Sequence, residues 1–321
     1  MRYPILLSDE IRLGSIAGVM KSGTTWLVNL LDDHPEIVAR GEMHAFEVIN
    51  GHPTLERVIG NKNGVRRWML MTNNAWNRHY RDDPDEAIEE LDADRFRFTY
   101  EWAIDRLLTE EKLHEPTQWV FEKSPIHTPE FYDRFNHYLE PYDRAIIHIV
   151  RDPRDVVISR WHHLRSLQRR DNSDFGRPLE DEADRKACFD LVKLEPEELS
   201  RKEHFFTYEG FLEQSLAEWT EVNEALAASA KRGLCPYLCV RYEDLRNDRN
   251  ATLSRMFSFL GLDPEPEGMD DFGGSTDATG RKRTTMLRSG TGREWERVFT
   301  DEDHALVRSV CGPLMDVHGY D

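Results

Sequence analysis

Four short apolar runs punctuate the chain: Ile11 to Val19, Trp119 to Phe121, Ala145 to Val150 and Tyr237 to Val240, each closed by polar residues. Runs of this length, rich in Ile and Val and bounded by turn-forming or charged residues, predict buried β-strands. Three of them lead into helical patterns. Thr24 to Asp33 sets Trp26, Leu27, Leu30 and Leu31 at helical spacing, Asp155 to Leu167 does the same with Val156, Ile158, Trp161 and Leu164, and Asn250 to Leu260 stops at Gly261 with Pro264 beyond. Strands alternating with helices predict an α/β fold: a central parallel sheet with flanking helices, in the three-layer α/β/α arrangement of P-loop proteins.

Two stretches fit that alternation less well. Residues 50–115 mix acidic helix with Trp68, Trp76, Phe96, Phe98, Tyr100 and Trp102, and residues 165–235 are rich in charge around Phe205, Phe206 and Tyr208. Both are expected to form helical caps over the active-site edge of the sheet, their aromatics serving either core packing or an acceptor pocket. With no repeat, low-complexity tract or Gly/Ser linker, residues 1–321 are expected to form a single domain.

Composition narrows the function. Hydrophobic residues make up 39% of the 321 and aromatics 10%, enough for a sizeable core, which excludes a disordered or fibrous chain. The formal charge of −18 argues against a general nucleic-acid or anionic-membrane surface, so any anion site must be a local exception. The N-terminal run Tyr3 to Leu7 is followed at once by Asp9 and Glu10, too short for a secretory or membrane segment. Cys188, Cys235, Cys239 and Cys311 are too few for a disulfide framework, and Cys235 and Cys239 lack a second ligand pair for zinc. The expectation is a cytoplasmic protein with a small-molecule partner and no metal, nucleic-acid or membrane partner, its oligomeric state, a homodimer included, left open.

In parallel α/β sheets ligands bind beyond the C-terminal ends of the strands. Those ends are polar here: Lys21-Ser22-Gly23-Thr24-Thr25 after the first run, Glu122-Lys123-Ser124-Pro125 after the second, Arg151-Asp152-Pro153-Arg154-Asp155 after the third and Arg241-Tyr242-Glu243-Asp244 after the fourth. The segment from Gly18 to Thr25 leaves a strand and opens a helix, so its backbone N–H groups predict an anion cradle. Its glycines have Walker A spacing, but Thr24 stands where a nucleoside triphosphatase needs lysine, and Lys21 lies three residues earlier. That argues against a P-loop kinase; a non-catalytic nucleotide-binding protein of the same fold is the other alternative.

Lys21-Ser22-Gly23-Thr24-Thr25-Trp26 resembles the 5′-phosphosulfate loop of the sulfotransferases that use 3′-phosphoadenosine 5′-phosphosulfate (PAPS). Val150 to Ser159 is similar to the same family's 3′-phosphate motif, in which Arg151 and, eight residues on, Ser159 would hold the phosphate. A guanidinium fork at a strand end suits a phosphate dianion on physical grounds as well, the alternative being a surface ion pair with a neighbouring aspartate. Arg281 to Arg297 supplies the local basic exception, with six Lys and Arg against Glu294 and Glu296. Within it Leu287-Arg288-Ser289-Gly290 resembles the family's Arg-Lys-Gly loop, with Ser289 in place of the lysine; Arg288 and the Gly290 backbone would complete the 3′-phosphate clamp. Arg241-Tyr242-Glu243-Asp244-Leu245 resembles another signature, which sets Tyr242 near the adenine, and Trp26 is expected to stack near the same base unless either ring is simply core.

For sulfuryl transfer the resemblance implies a leaving-group cation, for which Lys21 is placed, and a cation for the sulfuryl oxygens, for which Lys123 is placed; it implies no metal, and its nucleotide product is adenosine 3′,5′-bisphosphate. The cytosolic branch carries a histidine two residues after the strand-end lysine, where this chain has Pro125, which accepts no proton. Golgi-type enzymes use a glutamate shortly after the first helix. Gly41-Glu42-Met43-His44 looks similar and makes Glu42 the preferred base, with His44 and His127 as alternatives on intrinsic pKa.

Overall fold

The computed structural model describes residues 11–42, 117–123, 142–168, 210–274, 292–293 and 295–321, with isolated positions between 97 and 140. Five strands, β1 (Arg12–Ala17), β2 (Ile37–Glu42), β3 (Trp119–Lys123), β4 (Arg144–Val150) and β5 (Tyr237–Arg241), form one sheet in the order β2-β3-β1-β4-β5. Every pairing is parallel: Leu13 of β1 lies opposite Val120 of β3 and Arg144 of β4, and Ile147 of β4 opposite Leu238 of β5. The four strands read from apolar runs are all present, and each of the last three runs on into or begins with a charged residue. β2 is additional; it forms the edge beside β3.

Side chains alternate across the sheet as the period of two demands. Ile16, Phe121, Ile147, Ile149 and Val240 face one core with α1 (Thr24–Leu31) and the later helix Arg249–Leu260, while Leu13, Val120 and Ile146 face another with Tyr132, Phe135 and Leu226. Gly14 sits where any Cβ would overlap the Phe121 ring, so the ring lies over the β1 backbone in the space a side chain would take. The helix that follows β4, α2 (Pro153–Gln168), packs with α3 (Phe211–Arg232) and the C-terminal helix Asp301–His318 around a third core that holds Val156, Trp161, Leu216, Trp219 and Met315. α3 lies within a stretch expected as a cap, yet its apolar stripe is built into the core.

Behind β4 and β5 a polar group is buried in this packing. His148 is 1% exposed, its Nδ1 2.6 Å from the Tyr237 hydroxyl and 3.7 Å from Cys239 Sγ, with the His318 ring at right angles to its own. Burial above all, then the neighbouring His318, lowers its pKa from 6.5 to about 3, with Asn223 opposing slightly. The folded chain therefore keeps His148 neutral while the unfolded chain takes up a proton below 6.5, so stability is lost as the pH falls from 6.5 towards 3. The expected loss from this group is about 1.4 kcal/mol per pH unit in that window. Urea unfolding at pH 7, 5 and 4 checks it, and His148→Phe should show a shallower acid slope than wild type; an equal slope would contradict the assignment.

Candidate active site

Parallel pairing brings every strand's C-terminal end to one rim, and the residues singled out at those ends meet there. Past β1 the chain turns through Lys21 at φ 77° and Gly23 at φ 105°, left-handed conformations that point successive N–H groups inward. A side chain at Gly23 would strike the Tyr242 ring 2.5 Å away, so glycine is required there. Ser22 is buried, and both its Oγ, at 2.7 Å, and its backbone N–H, at 3.0 Å, donate to the Val19 carbonyl, which closes the turn of the loop. Gly23 starts α1 with no side-chain cap, so the first-turn N–H groups of Thr24, Thr25 and Trp26 face the same hollow. Thr24 itself is buried.

Lys123, at the end of β3, is only 4% exposed, and its Nζ donates 3.3 Å to Thr25 Oγ1 in the first turn of α1. Across β2 and β3, after a register shift, the backbone of Glu42 pairs with that of Lys123. Three neighbouring elements thus collect Glu42, Lys123 and the Lys21 loop at one end of the sheet.

On the other side of β1, Arg151 follows β4. Its Nη1 donates 3.2 Å to the Lys21 carbonyl, its guanidinium lies over the Tyr242 ring at 4.4 Å, and its own carbonyl accepts from Trp219 Nε1 at 3.0 Å. Its Nε is buried without a hydrogen-bond partner among the described residues. Arg154, by contrast, is spent within the fold, paired with Asp152 at 2.7 Å and stacked on Trp295 at 3.8 Å. Of the two arginines in this motif, Arg151 is the one presented to the rim. Ser159 lies on α2 two turns past it, half-buried.

Trp26 meets Tyr242 edge to face at 5.5 Å, and the two border an open cavity of about 460 Å³ with Arg246, Asn247 and Asp248. Its aromatic walls and convergent polar groups suit a planar, hydrogen-bonding ligand. Asp155, in the first turn of α2, accepts 2.8 Å from the Arg293 backbone N–H; burial raises its pKa, against the lowering pull of Arg151 and of that N–H. Asp155 and the Gly292–Arg293 turn lie within segments the sequence singled out but were given no role of their own there, and Arg246 was not marked. His44, His127, Arg288, Ser289 and Gly290 lie outside the described residues. Among the described residues no cluster of three metal-ligating side chains occurs, and no helix is long and apolar enough to cross a membrane.

The sequence model of the sulfotransferase domain family matches residues 15–319. Carbohydrate sulfotransferase 2 of Mus musculus is 27% identical over 194 residues, which are 56% of this chain and 35% of that protein, so the chain spans about a third of the length of the curated relatives it matches. Among solved structures, the sulfotransferase domain from the Synechococcus PCC 7002 olefin synthase superposes with a TM-score of 0.52 at 17% identity, covering 97% of this chain and 95% of that one. The sulfotransferase domain from the curacin biosynthetic pathway gives 0.51 at 14% identity over 97% and 98%. At these identities both likenesses speak for the fold.

Proposed function

The chain belongs to the sulfotransferase domain family, and from that premise we propose that it moves the sulfuryl group of PAPS to a hydroxyl of a small-molecule acceptor, releasing adenosine 3′,5′-bisphosphate. The observation that carries this reading is the setting of Arg151. One face of its guanidinium lies on Tyr242, one nitrogen holds the Lys21 loop, and a further buried nitrogen has no described protein partner, which suits a phosphate oxygen. The loop from Lys21 to Trp26 would hold the 5′-phosphosulfate on its backbone N–H groups; Arg151 and Ser159, with Arg288, Ser289 and Gly290, would take the 3′-phosphate, and Trp26 and Tyr242 the base.

In the transfer the acceptor oxygen forms a bond to sulfur as the bond from sulfur to the nucleotide's phosphate oxygen breaks. Glu42 is the base that receives the hydroxyl proton, with His44 and His127 as the alternatives. Lys21 neutralises the charge that appears on the departing phosphate and Lys123 the sulfuryl oxygens. The net charge of −18 disfavours a polyanionic acceptor and favours a neutral or cationic one.

Calorimetry tests the nucleotide class. Adenosine 3′,5′-bisphosphate should bind without magnesium and more tightly than magnesium-ATP, and Arg151→Ala should weaken it about a hundredfold, the scale of a lost charged pair to phosphate. Preference for magnesium-ATP, or no response to the substitution, would overturn the reading.

A further inference from the structure

Resting on the nucleotide reading above, we infer that Asp155 is a positioning residue for 3′-phosphate recognition: its carboxylate, accepting from the Arg293 N–H, pins the Gly292–Arg293 turn and through it Arg246, the cation that borders the cavity beside Tyr242. The turn is unusual. Gly292 at φ 61° and Arg293 at φ 57° are both left-handed, a conformation an ordinary side chain resists, so something outside the turn must hold it. Asp155 does so from the first turn of α2, with Oδ1 2.8 Å from the Arg293 nitrogen and Oδ2 against Gly292. Arg293 reinforces the contact through Glu296, 2.7 Å away, and through the face of Trp295, which Arg154 covers more closely.

One arginine depends on this anchor. The Arg246 guanidinium packs so closely on Gly292 that a Cβ there would overlap it, so the pinned turn is the wall behind Arg246 where it borders the cavity with Trp26 and Tyr242. Arg151, four residues before Asp155 in the chain, is the cation that most offsets the burial of that carboxylate, and it lies on the Tyr242 ring. The buried carboxylate is thus linked to Arg246 through the turn and lies in the field of Arg151. A carboxylate beside a phosphate site would repel the ligand if charge were its purpose, whereas a neutral acceptor oxygen would serve the Arg293 N–H nearly as well. The inferred role is that of an acceptor.

The test compares Asp155→Ala and Asp155→Asn in the full chain, titrated with adenosine 3′,5′-bisphosphate and with adenosine 5′-monophosphate, which lacks the 3′-phosphate. Alanine should weaken the bisphosphate about tenfold, the scale of one hydrogen bond to a charged group, and the monophosphate less than about twofold. Asparagine keeps an acceptor oxygen and should bind both nucleotides within about threefold of wild type. Where alanine does not fold, as judged by circular dichroism, Asp155→Ser, whose hydroxyl is too short to reach the turn, takes its place. Equal losses for both nucleotides, no loss in alanine, or asparagine as weak as alanine would overturn the inference while leaving the nucleotide reading intact. A wild-type chain that binds neither nucleotide would overturn the nucleotide reading and this inference with it.

Discussion

Glu42→Gln is expected to lower kcat about a thousandfold while leaving the affinity for adenosine 3′,5′-bisphosphate within about twofold, the separation expected of a general base that touches the acceptor and not the nucleotide. Glutamine preserves shape and hydrogen bonding but takes no proton. The position supports this choice: Glu42 ends β2, and its backbone is in register with Lys123, whose ammonium is tied to Thr25 beside the phosphate loop. A base at that point and a cation for the sulfuryl oxygens would share one strand pair. Single-turnover rates with saturating PAPS and any competent hydroxyl acceptor check it. Should the glutamine variant turn over at the wild-type rate, Glu42 is not the base, and His44→Asn and His127→Asn become the variants to measure.

The largest effect on stability is expected at Trp219. Its side chain is 1% exposed within the core shared by α2, α3 and the C-terminal helix, and Trp219→Ala should cost about 3–5 kcal/mol, read as a lower urea midpoint at unchanged slope. Trp219 also donates to the Arg151 carbonyl at 3.0 Å. Trp219→Phe keeps most of the packing and removes that bond, so it should be milder in stability yet weaken the bisphosphate several-fold. If alanine left the urea midpoint unchanged, the packing assigned to this helix trio would be wrong.

The strands were legible where burial on both faces wrote them as continuous apolar runs, as in Ala145 to Val150. Their ends were not, because Lys123, Arg144 and Arg241 pair through the backbone although their side chains break the apolar pattern. β2 escaped notice for a related reason: Ile37–Glu42 holds Arg40, Gly41 and Glu42 behind three apolar residues and lies at a sheet edge, where a strand is covered on fewer sides. The helix Asp301–His318 carries Gly312 and Pro313, residue types that ordinarily interrupt a helix, yet it runs through them and starts on a capping box between Thr300 and Asp303. The rim positions of Lys21, Lys123, Arg151 and Tyr242 were readable because each stands at, or within a few residues past, the C-terminal end of a strand. Asp155 was not: it is one aspartate among several in an acidic chain, and only the fold shows that its oxygen meets the backbone of a turn 138 residues away.

The strand order β2-β3-β1-β4-β5 has an evolutionary consequence. With the Lys21 loop on the central strand as pivot, Arg151 and Tyr242 belong to the strands on one flank, Lys123 and Glu42 to those on the other. With the roles proposed for these residues, donor recognition and acceptor chemistry would be encoded by separable halves of the sheet, and the 76 residues from 43 to 118 join two strands of the acceptor flank alone. Such a layout lets that connection diversify, exchanging one acceptor for another, under little constraint from the donor flank that all such variants would share.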